Sequence, residues 1–176
     1  MDQRFRPASL VPAGLIVDGV SIETDLVLVR VRSPVAAGRC PDCGATSQRI
    51  QSRYWRRAKD LPLSGRRVEL QVLVRRFRCD GVLCGRQIFA ERFNTGVLAV
   101  RSRRTERLDH IVQHLGLALG GRPGASLAAR MMLPVSNDTL LRVVRRRAKT
   151  PSEPLRIIGI DDFAWRRNHR YGTIVC

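Results

Sequence analysis

The chain has 176 residues, 44% of them hydrophobic, and a formal net charge of +17. Such a length suggests one or two small domains, with only modest cores if it is divided among several modules. The charge calls for a polyanionic partner, and its spread over strands, turns and helices rather than one amphipathic basic helix favours nucleic acid over an anionic membrane.

Of the 32 basic residues only Lys59 and Lys149 are lysine. A GC-rich coding sequence produces that bias without selection for chemistry. The N-terminus lacks a secretory pattern, and no apolar run approaches the ~20 residues of a membrane span. The expected location is the cytoplasm, associated with the nucleoid. There cysteines stay reduced, and close pairs read as metal ligands rather than disulfides.

In chain order, residues 14–33 alternate apolar and polar side chains around Asp18-Gly19, a hairpin-turn dipeptide, with Val27, Val29 and Val31 on one face. Cys40-Pro-Asp-Cys43 follows, and Cys79-Asp-Gly-Val-Leu-Cys84 lies beyond a second alternating stretch in which Val68, Leu70, Val72 and Val74 share a face. Four thiolates close a tetrahedral zinc site, and both internal gaps suit a single metal. The residues between the pairs fit a hairpin of 48–57 with 66–78, the plan of a zinc ribbon. Cys176 stands apart and reads as an unliganded cysteine.

The period then changes from two to that of a helix. Apolar residues at 108, 111, 112, 115, 118 and 119 form a helical stripe, ended by Gly120-Gly121-Arg122-Pro123-Gly124. His110 and His114 sit four apart on this helix but lack a third ligand, so they read as a polar edge. A short helix fits 125–132, stopped by Pro134. Ser136 is placed to cap a third helix reaching about Lys149. Two helices joined by a turn of about four residues make the helix-turn-helix outline, whose last helix enters the major groove. On that helix Asn137, Asp138, Leu141 and Arg142 occupy the first exposed turns and are the expected base contacts. Arg145 and Arg146 are expected on phosphates, with Leu140, Val144 and Ala148 packed opposite. The arginine runs 75–78 and 101–107 carry no sequence-reading role.

Thr150-Pro-Ser-Glu-Pro154 has the composition of a linker. Beyond it, 156–176 reads as a strand, a tight polar turn and a returning strand, with Asp161-Asp162 near the end of the first. An acidic pair at such a place is how many metal-dependent phosphoryl-transfer folds begin.

Taken in order, these pieces resemble the ISL-three family of bacterial insertion-sequence transposases. The resemblance is carried by Cys40-Pro-Asp-Cys43-Gly44, Val74-Arg-Arg-Phe-Arg-Cys79, Ile88-Phe-Ala-Glu91-Arg92, Leu119-Gly-Gly-Arg-Pro-Gly-Ala125, Leu133-Pro-Val-Ser136, Thr139-Leu-Leu-Arg142, Gly159-Ile-Asp-Asp-Phe-Ala164 and His169-Arg-Tyr-Gly-Thr173. It implies an α+β multidomain chain: an N-terminal β-hairpin region (1–33), a zinc ribbon (34–93), a helix-turn-helix DNA-binding domain (94–149), a linker (150–154) and the truncated start of an RNase H-like catalytic domain (155–176). Asp161 matches the first acid of the Asp-Asp-Glu triad. Asn168 stands where the turn usually carries glycine.

The resulting expectation is the N-terminal part of a transposase that binds double-stranded DNA at element ends. Zinc is its structural metal, bound by Cys40, Cys43, Cys79 and Cys84, and magnesium is required only by a full-length catalytic domain. Protein partners would be full-length transposase or a second copy, and this chain alone is expected not to cut DNA. The competing expectation is a complete transcriptional regulator built of a zinc ribbon and a helix-turn-helix, with 155–176 as a dimerisation hairpin. An RNA-binding ribbon protein ranks below both, given 5% aromatic residues.

Overall fold

The computed structural model of the chain describes residues 10–94, 96–148, 159–166 and 169–175. The N-terminal strands β1 (Ile16–Ile22) and β2 (Leu26–Arg32) pair antiparallel. Two short strands, β3 (Gly38–Arg39) and β4 (Thr46–Ser47), form a separate small hairpin. The long strands β5 (Ile50–Leu63) and β6 (Arg66–Arg78) pair antiparallel, and β6 also runs parallel to β2. The sheet order is thus β1-β2-β6-β5, with β7 (Ile88–Ala90) added at the far end of β6.

The valine alternation decides which face of this sheet is covered. Val27, Val29, Val31, Val68, Leu70, Val72 and Val74 all point into one core, where Val11, Leu15, Val97 and Leu98 close over them. Two turn expectations change. Asp18-Gly19 lies inside β1, where the pairing slips between Val17 and Gly19, and the chain instead reverses at residues 23–25. The slip has a local cause: Asp18 accepts a 2.8 Å hydrogen bond from Arg32 Nε, and a Cβ on residue 19 would sit 3.1 Å from the Arg30 guanidinium. Strand β5 also runs past residue 57 to Leu63, turning into β6 through Ser64 (φ 48°) and Gly65 (φ 72°), the paired positive φ values of a two-residue hairpin loop.

Three helices follow: α1 (Glu106–Leu119), α2 (Arg122–Arg130) and α3 (Asn137–Arg147). Thr105 caps α1 through Leu108 N–H, and Gly120 ends it at φ 69°. Helix α2 starts three residues earlier than its apolar pattern suggests, because Pro123 falls in its first turn, where a missing N–H costs nothing. It ends with Leu133 N–H bonded to Ala128 C=O at 2.8 Å and Met132 in the left-handed region at φ 58°, a Schellman-type termination. Ser136 caps α3, its Oγ accepting from Thr139 N–H at 3.2 Å, as expected.

Leu108, Val112, Ala128, Leu133, Leu140 and Val143 make the helical core. Of the predicted α1 stripe, Ile111, Ala118 and Leu119 are exposed. The buried line shifts instead to Leu108, Asp109, Val112 and Gly116 because α3 approaches closely at Gly116, where a Cβ would lie 2.7 Å from Val144 Cγ2. Likewise Val143 rather than Ala148 completes the packed side of α3, since Ala148 is its exposed C-cap.

A final hairpin, β8 (Ile160–Arg166) with β9 (His169–Val175), forms its own two-stranded sheet. Lys149, the linker 150–154, residues 156–158, Asn168 and Cys176 lie outside the described residues. No helix among the described residues is long and apolar enough to cross a membrane.

Candidate metal centre and nucleic-acid interface

Each cysteine pair sits on a turn held by backbone hydrogen bonds. Gly44 N–H bonds Cys40 C=O at 3.0 Å across the first turn, with Gly44 at φ 76°, and Cys84 N–H bonds Gly81 C=O at 3.1 Å across the second. Cys79 N–H to Gln87 C=O at 2.9 Å anchors the second turn to the end of β6. The two turns face each other over Phe77 and Phe89, whose rings stack 5.7 Å apart beneath Cys40.

The four Sγ atoms lie within 4.8 Å of one another, with Cys43–Cys79 at 3.5 Å and Cys40–Cys84 at 3.9 Å. Tetrahedral zinc with bonds of about 2.3 Å would set sulfurs about 3.8 Å apart, so the cluster has the size the metal demands. The pairing is also cross-turn, each turn contributing two ligands. Gly81 shows how tightly the second turn wraps the sulfurs: a Cβ there would lie 3.1 Å from Cys43 Sγ and 3.2 Å from Cys84 Cβ. All four cysteines are free thiols, Cys40 fully buried and Cys43 exposed. Four protein ligands leave no open position, which makes this a structural site.

The electrostatics of the cluster favour a bound cation. The Cys43 backbone N–H lowers the Cys40 thiol to about 7. For Cys79 the Gly81 N–H also pulls downward, but burial and the neighbouring sulfurs outweigh it and push the thiol up to about 12. Cys84 is raised in the same way, against the Arg86 N–H. One thiolate therefore forms readily while its neighbours resist a second, and a divalent cation removes that resistance. Ion pairs Arg86–Asp42 (2.6 Å) and Arg49–Asp80 (3.0 Å) flank the turns.

On α3, Asp138, Leu141, Arg142 and Arg145 are exposed, and Asn137 is half-buried against Gly121. Arg146 does not stand free: its Nη2 pairs with Asp109 of α1, and Arg147 pairs with Glu106 and Asp109. The basic stripe is therefore split, with Arg142 and Arg145 outward and Arg146 and Arg147 drawn toward α1. Six residues separate α2 from α3, more than the turn of about four expected, because α2 ends at Arg130. His110 Nε2 lies 3.7 Å from Glu106 and His114 is exposed, consistent with a polar edge.

The arginine runs contribute structure that spacing did not reveal. Arg75 is clamped to buried Glu91, bonds Val35 and Ala36 carbonyls, and is raised in pKa chiefly by the Glu91 hydrogen bond. Arg104 and Arg107 pair with Asp109 and buried Asp60. The only hint in the sequence was Asp60, an acid at an inward position of β5.

Asp161 and Asp162 lie near the start of β8 rather than near the end of a strand, opposite Ile174 and Thr173. Consecutive strand residues project to opposite faces, so the two carboxylates do not converge. Asp162 accepts a 2.7 Å hydrogen bond from Thr173 Oγ1. Among the described residues the four cysteines form the one cluster of metal-binding type, and Asp161 is not in it.

Residues 36–84 match the family model of the zinc-finger of transposase IS204/IS1001/IS1096/IS1165. Comparison with curated proteins and with solved structures gives no match. All four clustered cysteines fall inside the matched span, so residues 36–84 are similar to the zinc ribbon of an ISL3-type transposase and bring together four cysteines suited to structural zinc.

Proposed function

We propose that this chain is the DNA-binding part of an ISL3-type transposase, engaging double-stranded DNA at element ends through α3 while the zinc ribbon holds the sheet beneath. In this reading α1–α3 act as a helix-turn-helix and β8–β9 begin a DDE catalytic domain in which Asp161 is the first acid. The observation that carries it is the outward face of α3. Arg142 and Arg145 are exposed on a Ser136-capped helix and make no ion pair with any described residue, in a chain of net charge +17. Uncompensated cations on an accessible helix match the charge density of duplex DNA. Arg142, nearer the helix N-terminus, is assigned to base edges and Arg145 to phosphate. Arg146, half-committed to Asp109, contributes less than its place in the stripe implies.

The test selects a preferred duplex from a randomised pool and compares variants on it and on random duplex. Arg142→Ala should relax preference at one position, a loss of about 1–3 kcal/mol on the selected site alone. Arg145→Ala should weaken both duplexes alike and flatten the salt dependence. Equal losses from both variants on both duplexes would contradict the assignment.

A regulator is favoured by a different observation. The β8–β9 hairpin exposes Ile160, Tyr171 and Ile174, apolar surface of the kind a dimerisation hairpin would bury. A stable dimer abolished by Ile174→Lys, together with sequence-specific duplex binding, is the result that reading requires.

A further inference from the structure

The second face of the large sheet is open. Pairing places Trp55 beside Leu73 of β6 and then Arg32 of β2 on that face, and Arg57 beside Gln71 and then Arg30. Arg53 and Arg57 flank Trp55 at two residues either side, on the same face by strand alternation. Trp55 is 54% exposed, although an indole exposed on a sheet costs apolar hydration. The acids on this face are already engaged: Asp18 with Arg32 at 2.8 Å and Glu69 with Arg57 at 3.5 Å. Arg30 and Arg53 make no ion pair with any described residue, so the surface around Trp55 keeps a net positive charge.

We propose that this face binds single-stranded DNA, with one base stacked on Trp55 and the backbone tracked by Arg53 and Arg30. An aromatic plane among unpaired arginines offers what a single strand presents and a duplex hides, an open base face beside phosphate. The dimensions point the same way. Four strands at about 4.8 Å spacing span about 14 Å between outer axes, wider than the roughly 12 Å major groove, so this sheet cannot enter a duplex as a two-stranded ribbon does. From Arg53 to Lys59 the face runs about 20 Å along β5, room for three or four nucleotides. The surface is separate from α3, so the duplex reading and this one can fail independently.

The experiment measures fluorescence anisotropy of labelled twelve-nucleotide oligo-dT and of a labelled hairpin duplex with the full zinc-loaded chain. Trp55→Ala should weaken oligo-dT binding about 5- to 100-fold, the loss of one stacked base, and leave duplex binding within about twofold. Trp55→Phe should restore most of the oligo-dT affinity, which a merely structural role would not predict. Arg145→Ala should show the reverse selectivity. One zinc per chain in each variant establishes that the ribbon is intact. Absence of oligo-dT binding by the unaltered chain, unchanged oligo-dT binding by Trp55→Ala, or equal losses on oligo-dT and duplex would each overturn the proposal.

Discussion

Asp60 of β5 and Arg107 of α1 meet in a two-pronged ion pair, Nε to Oδ1 at 2.8 Å and Nη2 to Oδ2 at 2.5 Å, which joins the sheet to the helices. Thr105, the cap of α1, donates its hydroxyl to the same Oδ1 at 2.7 Å, and Arg107 Nη2 reaches Leu10 C=O at 2.6 Å. The Asp60 side chain is 0% exposed, whereas Arg107 keeps 32%. Removal of the two partners is therefore unequal. Arg107→Ala leaves a carboxylate buried with one hydroxyl partner and should cost about 3–5 kcal/mol, while Asp60→Ala frees a guanidinium that can reach water and should cost less. Urea unfolding followed by circular dichroism measures both, and equal losses would mean that water reaches Asp60.

This junction also marks how far the sequence could be read. Valine alternation located the buried face of β2 and β6, since every second side chain must leave water together. The cysteine spacing located the zinc ligands, because two short turns and one metal admit few arrangements. Asp18-Gly19 misled because the same dipeptide serves a bulge as well as a turn, and only the Arg30 and Arg32 partners across the strand decide between them. The division of the α3 arginines was hidden for the same reason: nothing local says that Asp109, between Leu108 and His110 on α1, draws Arg146 toward that helix. Long-range ion pairs leave no period.

Metal binding should release protons and weaken on acidification. Cys40, with its thiol near 7, supplies a partly formed thiolate at neutral pH, whereas Cys79, up at about 12, and Cys84, also raised, bind the metal only by losing protons to solvent. Zinc titration near pH 7 should therefore release at least about two protons per metal, and affinity should fall as pH drops. Because that binding energy is largely folding energy, stability of the loaded ribbon falls in the same direction, and chelation or Cys79→Ser should unfold it. Calorimetry in buffers of different ionisation enthalpy counts the protons. A ribbon that stays folded without metal would refute this account.

Two glycines are predicted to resist alanine for a packing reason. At residue 38 a Cβ would lie 2.5 Å from Phe77 Cδ2 and 3.0 Å from Phe89 Cε2, inside the aromatic base of the zinc site. At residue 116, Gly to Ala gains about 1 kcal/mol of helix propensity, yet the new Cβ meets the stiff Val144 side chain at 2.7 Å. Overpacking costs typically about 1–3 kcal/mol, so Gly116→Ala should be net destabilising. Gly116→Ala combined with Val144→Ala should recover the lost stability in thermal unfolding. Failure of that double variant to recover any would remove the steric explanation.

The last expectation concerns Asp161. In-line phosphoryl displacement with two metals requires several carboxylates converging on cations about 3.5–4 Å apart. Asp161 and Asp162 project from opposite faces of β8, and Thr173 already occupies one oxygen of Asp162. No third acid, histidine or cysteine joins Asp161 among the described residues. The hairpin itself, two strands without a third, is the kind of unit that is marginal in water. Purified chain incubated with magnesium or manganese and labelled duplex should therefore shift the DNA without nicking it. Asp161→Ala should leave that shift unchanged, since the proposed binding through α3 does not involve the carboxylate. Metal-dependent nicking that disappears in Asp161→Ala would show that the remaining carboxylates are supplied from elsewhere, by a second copy or another protein, and the expectation of inactivity would be wrong.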